Sequence, residues 1–215
     1  MTIRTDDRPA AVTSRGGAAA LLLAGALFVL YPAIRPYSDL TPAGSAPAFA
    51  SGAWLLAHLS AVAGFVLLPL GLLAVYAAVG RSRTAGAAFL VTWFGVGLVL
   101  PYYGAEAFAL NATGERILAT GDLGLLELVD AVRNGPVQIT LFGAGLLLLA
   151  VGSVLAAVAV WRSGVLARWA AVPMAAGFVL FLPQFYAPPV LRIAHGVLVG
   201  VGCAVLALQT RRGGH

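Results

Sequence analysis

The sequence predicts an all-α fold: a six-span transmembrane helical bundle with both termini cytoplasmic and a short amphipathic helix in the outer loop between spans three and four. Three observations carry that prediction. Of 215 residues, 60% are hydrophobic and 10% charged, with a mean hydropathy of +0.94, which is too little polar surface for a soluble domain of this size. Apolar runs of about 20 residues, enough to cross roughly 30 Å of hydrocarbon, recur at 17–34, 53–79, 85–110, 136–160, 166–187 and 190–209. The arginines also sort by connection. Arg4, Arg8, Arg15, Arg81, Arg83, Arg162, Arg168, Arg211 and Arg212 fall on one side of the spans, and Arg35, Arg116, Arg133 and Arg192 on the other. The richer side is cytoplasmic by the positive-inside rule.

The chain therefore divides into an N-terminal tail (1–16), one transmembrane domain (17–209) and a C-terminal tail (210–215). The first span follows basic residues, as a signal peptide would, with Ala48-Phe49-Ala50 as a cleavage motif. That motif lies about 15 residues beyond the apolar core, too far for cleavage, so the span reads as a permanent anchor. Residues 35–52, rich in Pro, Ser, Ala and Gly, read as an irregular outer loop. After a turn-like stretch at Asn111 to Gly114, residues 122–135 form an amphipathic helix. Asp122 is its N-cap candidate, Leu125, Leu126, Val129 and Val132 share one face, and Asn134-Gly135 is its stop. With Glu127, Asp130 and Arg133 on its polar face it belongs at the outer interface, as a lid or as a plain connector.

All thirteen basic residues are arginine, a bias that fits a GC-rich bacterial genome, and the expected location is the bacterial cytoplasmic membrane. The arginines are dispersed between apolar blocks, so the basic sequence pI sets topology and builds no nucleic-acid face. The single cysteine, Cys203, excludes an intrachain disulfide and a CxxC metal motif. No nucleotide-binding, phosphate-binding or nucleophile-elbow motif is present, which argues against pumps and conventional hydrolases.

Ionisable groups within spans are costly and call for a partner or a role. His58, Glu106 and His195 come from three different spans, and at about 1.5 Å per residue each lies roughly 5 to 10 Å from the outer boundary. Arg192 stands one turn outward from His195. Tyr102, Tyr103, Gln138, Thr140, Gln184 and Tyr186 share that outer third, whereas the inner halves hold little besides Thr84, Thr92 and Ser153. The asymmetry predicts a polar ligand-binding chamber beneath the external face, lined by His58, Tyr102, Tyr103, Glu106, Gln138, Gln184, Arg192 and His195. Pro69, Pro101, Pro173 and Pro183 are candidate kinks. Small-residue ladders at Ala53, Ala57 and Ala61 and at Gly196, Gly200 and Ala204 read as close helix packing or as a slot for a flat ligand.

Three chemistries fit such a layer. Haem b would use His58 and His195 as axial ligands, with Arg192 on a propionate. A single zinc or iron ion would take His58, Glu106 and His195, the ligand set of a metal-dependent enzyme. A proton-linked or anion site would pair a histidine with Glu106, and Arg192 with Glu106 as an ion pair. Against these stand plainer roles: a snorkelling Arg192, an aromatic belt of tyrosines and Trp54, and histidines that hydrogen-bond between helices. A carrier is disfavoured, because no polar path crosses the inner half.

The turn Arg162, Ser163, Gly164, Leu166 and Arg168 in the segment GSVLAAVAVWRSGVLARWAAVPMAAGFVL resembles that of uncharacterised bacterial six-helix integral membrane proteins with an Arg-Ser-Gly-x-Leu-x-Arg cytoplasmic turn. The resemblance implies a fold and a membrane; the partners expected from composition and the polar layer are the lipid bilayer and a small-molecule ligand. It carries over no activity and no catalytic residue, and the oligomeric state is left open.

Overall fold

The computed structural model describes residues 8–212, with side chains from Arg15 to Arg211; the remainder of the expected tails, Arg4 included, lies outside the described residues. The fold is all-helical: α1 (Arg8–Ile34), α2 (Pro42–Phe49), α3 (Gly52–Ala78), α4 (Arg83–Thr120), α5 (Leu126–Asn134), α6 (Pro136–Ser163), α7 (Val172–Val179) and α8 (Pro189–Arg212). Short 3₁₀ turns stand at Ser38–Leu40, Leu123–Leu125 and Pro183–Tyr186. Five helical segments are long and apolar enough to cross a membrane: Arg15–Ile34, Gly52–Ala78, Arg83–Thr120, Pro136–Ser163 and Pro189–Arg211. That set is compatible with a multi-pass membrane protein.

Packing closes a ring. α1 lies along α3 and α8, α3 along α4, α4 along α6, and α7 bridges α6 and α8. Inside it Phe28, Phe65, Tyr103, Phe178 and Phe181 interlock, with Phe28 meeting Phe65 edge-on at 4.9 Å between ring centroids. Helix starts are fixed locally, because the Ser51 hydroxyl accepts from Trp54 N and the Ser82 hydroxyl from Ala85 N, each satisfying an amide that an N-terminus leaves orphaned. At the other end of α6, Gly164 adopts φ +66° and ends the helix inside the Arg-Ser-Gly turn. The ladder at Gly196 and Gly200 is filled by α1. A Cβ at Gly196 would come 2.5 Å from Pro32 Cγ, and one at Gly200 would come 2.5 Å from Val29 Cγ2. Close packing, rather than a slot for a flat ligand, explains those residues.

Three expectations change. The stretch 166–187 is no continuous helix: α7 spans 8 residues and is followed by turn and the Pro183–Tyr186 3₁₀ segment. It nonetheless runs the length of α8, since Ala167 N donates to Gln209 Oε1 at one end and Arg192 Nη2 to the Phe185 carbonyl at the other. Pro173 in the first turn of α7 and Pro183 at the head of the 3₁₀ turn frame the short helix, because neither supplies a backbone N–H. Pro69 and Pro101, by contrast, lie inside unbroken helices.

Second, residues 35–52 are ordered, with a 3₁₀ turn and α2. Third, the expected turn at Asn111 to Gly114 is helical. α4 has 38 residues, about 57 Å at the α-helical rise and well beyond the hydrocarbon thickness. Its last turns join α2 and α5 in a cap. Phe49, Trp54, Leu110 and Val129 form a second apolar cluster, with Leu126 and Val132 against it. The amphipathic helix expected at 122–135 is present as a 3₁₀ turn and α5, with Asp122 Oδ1 accepting from Gly124 N at 2.9 Å. Its apolar face is turned onto protein.

Candidate functional site

Under that cap, at the end of the bundle where α1 finishes and α3, α6 and α8 begin, lies a cavity of about 390 Å³. Tyr31, Arg35, Asp39, His58, Tyr103, Glu106, Arg133 and Arg192 line it, together with Tyr102, Phe142 and Phe185. Trp54 organises the wall. The Ser51 cap sets it at the first turn of α3, where it is fully buried. Its indole Nε1 donates to the Glu106 carbonyl at 2.7 Å, its ring lies 4.2 Å from the His58 ring, and the guanidinium of Arg35 sits 4.9 Å from its centroid. One side chain thus ties α3 to α4 and carries a cation on its face.

The charges form a chain. Arg133 Nε donates to Glu106 Oε1 at 2.7 Å and Nη2 to Oε2 at 2.9 Å, a bidentate pair. Arg133 Nη2 also donates to Asp39 Oδ2 at 3.2 Å, which in turn accepts from Arg35 Nη2 at 2.7 Å. Burial by itself would lower the proton affinity of Arg133, but its hydrogen bonds to Glu106 and the charges of Glu106 and Asp39 outweigh that, raising its pKa above the ordinary arginine range. Several atoms in the chain are buried without a partner among the described residues: Arg35 Nε and Nη1, Asp39 Oδ1 and the Tyr103 hydroxyl.

His58 takes a defined tautomer. Its Nδ1 lies 2.8 Å from the Trp54 carbonyl, which only accepts, so Nδ1 carries the proton. Nε2, 3.6 Å from Glu106 Oε2, presents a lone pair to the carboxylate. The two atoms face one another as acceptors on the cavity wall, placed to receive a donor between them.

Of the residues expected in the chamber, His58, Tyr102, Tyr103, Glu106 and Arg192 line it. Gln138, Gln184 and His195 do not. Gln138 is exposed and donates to the Ala131 carbonyl, bracing the start of α6 against α5. Gln184 lies with His195 against Phe28 and Pro32 in a separate narrow crevice, and the two also line an outer groove of about 370 Å³ with Leu180, Leu191 and Leu198. His195 Nε2 donates to the Gly177 carbonyl at 2.8 Å. That carbonyl is released by the end of α7, where the amide of Phe181 turns to Phe178 instead. A carbonyl left bare at such depth needs a donor, and His195 supplies it.

The ligand sets are corrected accordingly. Among the described residues no three His, Cys, Asp or Glu side chains converge on a point where a metal ion would sit, so His58, Glu106 and His195 are not one site. For haem, Nε2 of His195 is spent on the Gly177 carbonyl, whereas His58, with Nδ1 on the Trp54 carbonyl, keeps Nε2 free. The rings of Tyr103, Phe65 and Phe181 link the two imidazoles through centroid contacts of 6.1, 5.2, 5.7 and 5.1 Å. The expected Arg192–Glu106 pair is also replaced. Glu106 is held by Arg133, and Arg192 donates to the Ala187 and Phe185 carbonyls.

Arg35, Asp39, Arg133 and Tyr31 are the functional candidates that linear depth did not reveal. Arg35 and Asp39 stand four residues apart, the spacing of a local ion pair, and Arg133 is the one basic residue on the polar face of α5. Compared with protein-family models, with curated proteins and with solved structures, the chain shows no match. The resemblance drawn from the turn at 162–168 therefore stands on that turn and the layout of the spans.

Proposed function

We propose that this chain is a six-crossing protein of the bacterial cytoplasmic membrane, both termini inside, whose outer-end cavity is a binding chamber for a small molecule. The carrying observation is the cavity itself: about 390 Å³, within the range of roughly 300 to 1,000 Å³ typical of small-ligand sites. Charged groups from α4, α5, α8 and the segment after α1 meet in it, beneath a helical cap. Support for the sixth crossing comes from the segment 167–188, which joins opposite ends of α8 although its helix is broken. Support for the orientation comes from the arginines, since Arg81, Arg83, Arg162 and Arg168 lie at the end away from the cavity.

The chamber is tested by native mass spectrometry of protein extracted in mild detergent. Gly143 lines the cavity, and a Cβ there would meet nothing within 4 Å, so the side chain of Gly143→Phe starts in open space at the void it is meant to fill. A bound mass present in the parent protein and lost in Gly143→Phe at unchanged melting temperature is the expected result. Equal occupancy in both proteins would place any ligand elsewhere. Orientation is read by thiol labelling in a Cys203→Ser background: a cysteine at exposed Leu123 should react in intact cells, and one at exposed Val165 only after permeabilisation.

A further inference from the structure

Resting on the chamber reading, we infer that its ligand is an amphiphile with a single anionic head, a carboxylate or a phosphate, whose tail leaves sideways between α6 and the Pro183–Tyr186 turn. Charge argues for the head. Three guanidinium groups, Arg35, Arg133 and Arg192, face the cavity against two carboxylates, Asp39 and Glu106. The surplus is one positive charge at a depth where an uncompensated ion is costly. By pairing, the surplus falls on Arg192, which donates only to the Ala187 and Phe185 carbonyls, while the free donors belong to Arg35. Its side chain is 10% exposed, one Nη is used on Asp39, and Nε and Nη1 have no partner among the described residues. The Tyr103 hydroxyl, on a residue 2% exposed, lines the same space beside the Tyr31 hydroxyl but makes no well-aligned hydrogen bond, and is a second available donor. An anion taking both donors would satisfy them and balance the charge together, leaving Asp39 Oδ1 as the one cavity acceptor without a partner among the described residues.

The mouth argues for the tail. Polar groups sit deep, whereas the rim is apolar: Ile139 is 52% exposed, Leu182 39% and Tyr186 88%, with Phe142 and Phe185 behind them. These residues lie on the outward faces of α6 and the 3₁₀ turn, which a bilayer would cover. Gly143 leaves the gap between them open. By that route a water-soluble anion would have to cross the apolar rim, whereas a lipid-borne head would slide into the cavity with its chain still in hydrocarbon. The cap side, at exposed Asn134 and Leu40, offers the soluble anion another approach, which the tailless anions in the test probe.

The test uses Trp54 as reporter in the full chain, with Trp93, Trp161 and Trp169 changed to Phe, and reads quenching by a long-chain carboxylate brominated near its head and by the matching monoalkyl phosphate. Saturable quenching by either one identifies the head group. The methyl ester should bind about tenfold more weakly or worse, as should the carboxylate to Arg35→Gln, because a charge-assisted hydrogen bond is lost. Tyr103→Phe removes only an unpartnered hydroxyl, so it should fold normally and still lose affinity severalfold, which keeps the test valid if Arg35→Gln is unstable. Acetate and inorganic phosphate should compete at no concentration up to the millimolar range.

Equal binding of ester and acid would overturn the anionic head, and binding of the tailless anions would overturn lateral entry. A mass displaced by Gly143→Phe with no quenching by either amphiphile would sink this inference and leave the chamber standing. Equal occupancy in Gly143→Phe would remove the chamber beneath it.

Discussion

Arg133→Met tests whether the cap is held down by charge. The methionine keeps the apolar stem but removes the guanidinium that lies over Phe49 and Trp54, and with it three donated hydrogen bonds, two to Glu106 and one to Asp39. Asp39 keeps Arg35, but Glu106 keeps only the 3.6 Å approach of His58, with its carboxylate 9% exposed. Stripping one partner from a buried pair costs about 3 to 5 kcal/mol. Arg133 is itself 21% exposed, so the lower end of that range applies, about 3 kcal/mol. Adding Glu106→Gln removes the stranded charge and should recover most of the loss, giving a coupling energy of about 1.5 kcal/mol or more. Reversible unfolding in mixed micelles, followed by circular dichroism for the parent, both singles and the double, measures the cycle. A cost below about 1 kcal/mol for Arg133→Met, the level of a surface ion pair, would mean that water solvates these charges and that no enclosed chamber exists.

Three further outcomes follow from particular contacts. His195→Ala should destabilise by about 1 to 3 kcal/mol through the bare Gly177 carbonyl, leaving ligand occupancy of the cavity unchanged. His58→Ala combined with His195→Ala should be additive within about 0.5 kcal/mol; strong non-additivity in the same unfolding assay would reveal a shared cofactor and refute the separation of the two histidines. Gly202→Ala should be severely destabilising, since its Cβ would stand 2.2 Å from Met174 N and force α7 off α8, whereas Gly97→Ala, with nothing within 4 Å, should gain up to about 1 kcal/mol from helix propensity. Thermal shift on the two glycine variants decides between them.

Length and apolarity made most of the bundle legible, because crossing a bilayer demands little else. They missed what tertiary contacts decide. Asn111 reads as a turn residue, yet its Nδ2 donates to the Phe49 carbonyl at 2.8 Å, and Gly114 admits the end of α2 so closely that a Cβ would sit 2.7 Å from Phe49 Cβ. Both keep α4 helical past the membrane boundary. In 166–187 composition shows a span, but two well-placed prolines break it, and hydropathy cannot see a missing N–H. The site was half legible for a related reason. Depth along a span located His58 and Glu106, but it also grouped them with His195, which faces another helix at the same level. Depth has no angular coordinate. Arg133 and Asp39 escaped because they reach the cavity from outside the spans.

The break after α7 has a mechanical consequence. A continuous helix transmits displacement along its length, so shifting one turn strains every neighbour it touches. Here the wall beside the cavity mouth is a four-residue 3₁₀ turn, Pro183–Tyr186, flanked by prolines and separated from α7 by Leu180 and Leu182. The inner stretch stays pinned where Gly202 lets α7 and α8 meet and where His195 grips Gly177. The arc at the rim is tied to α8 by Arg192, through the Phe185 and Ala187 carbonyls, so the position of that one side chain, and not of a whole helix, sets the width of the mouth.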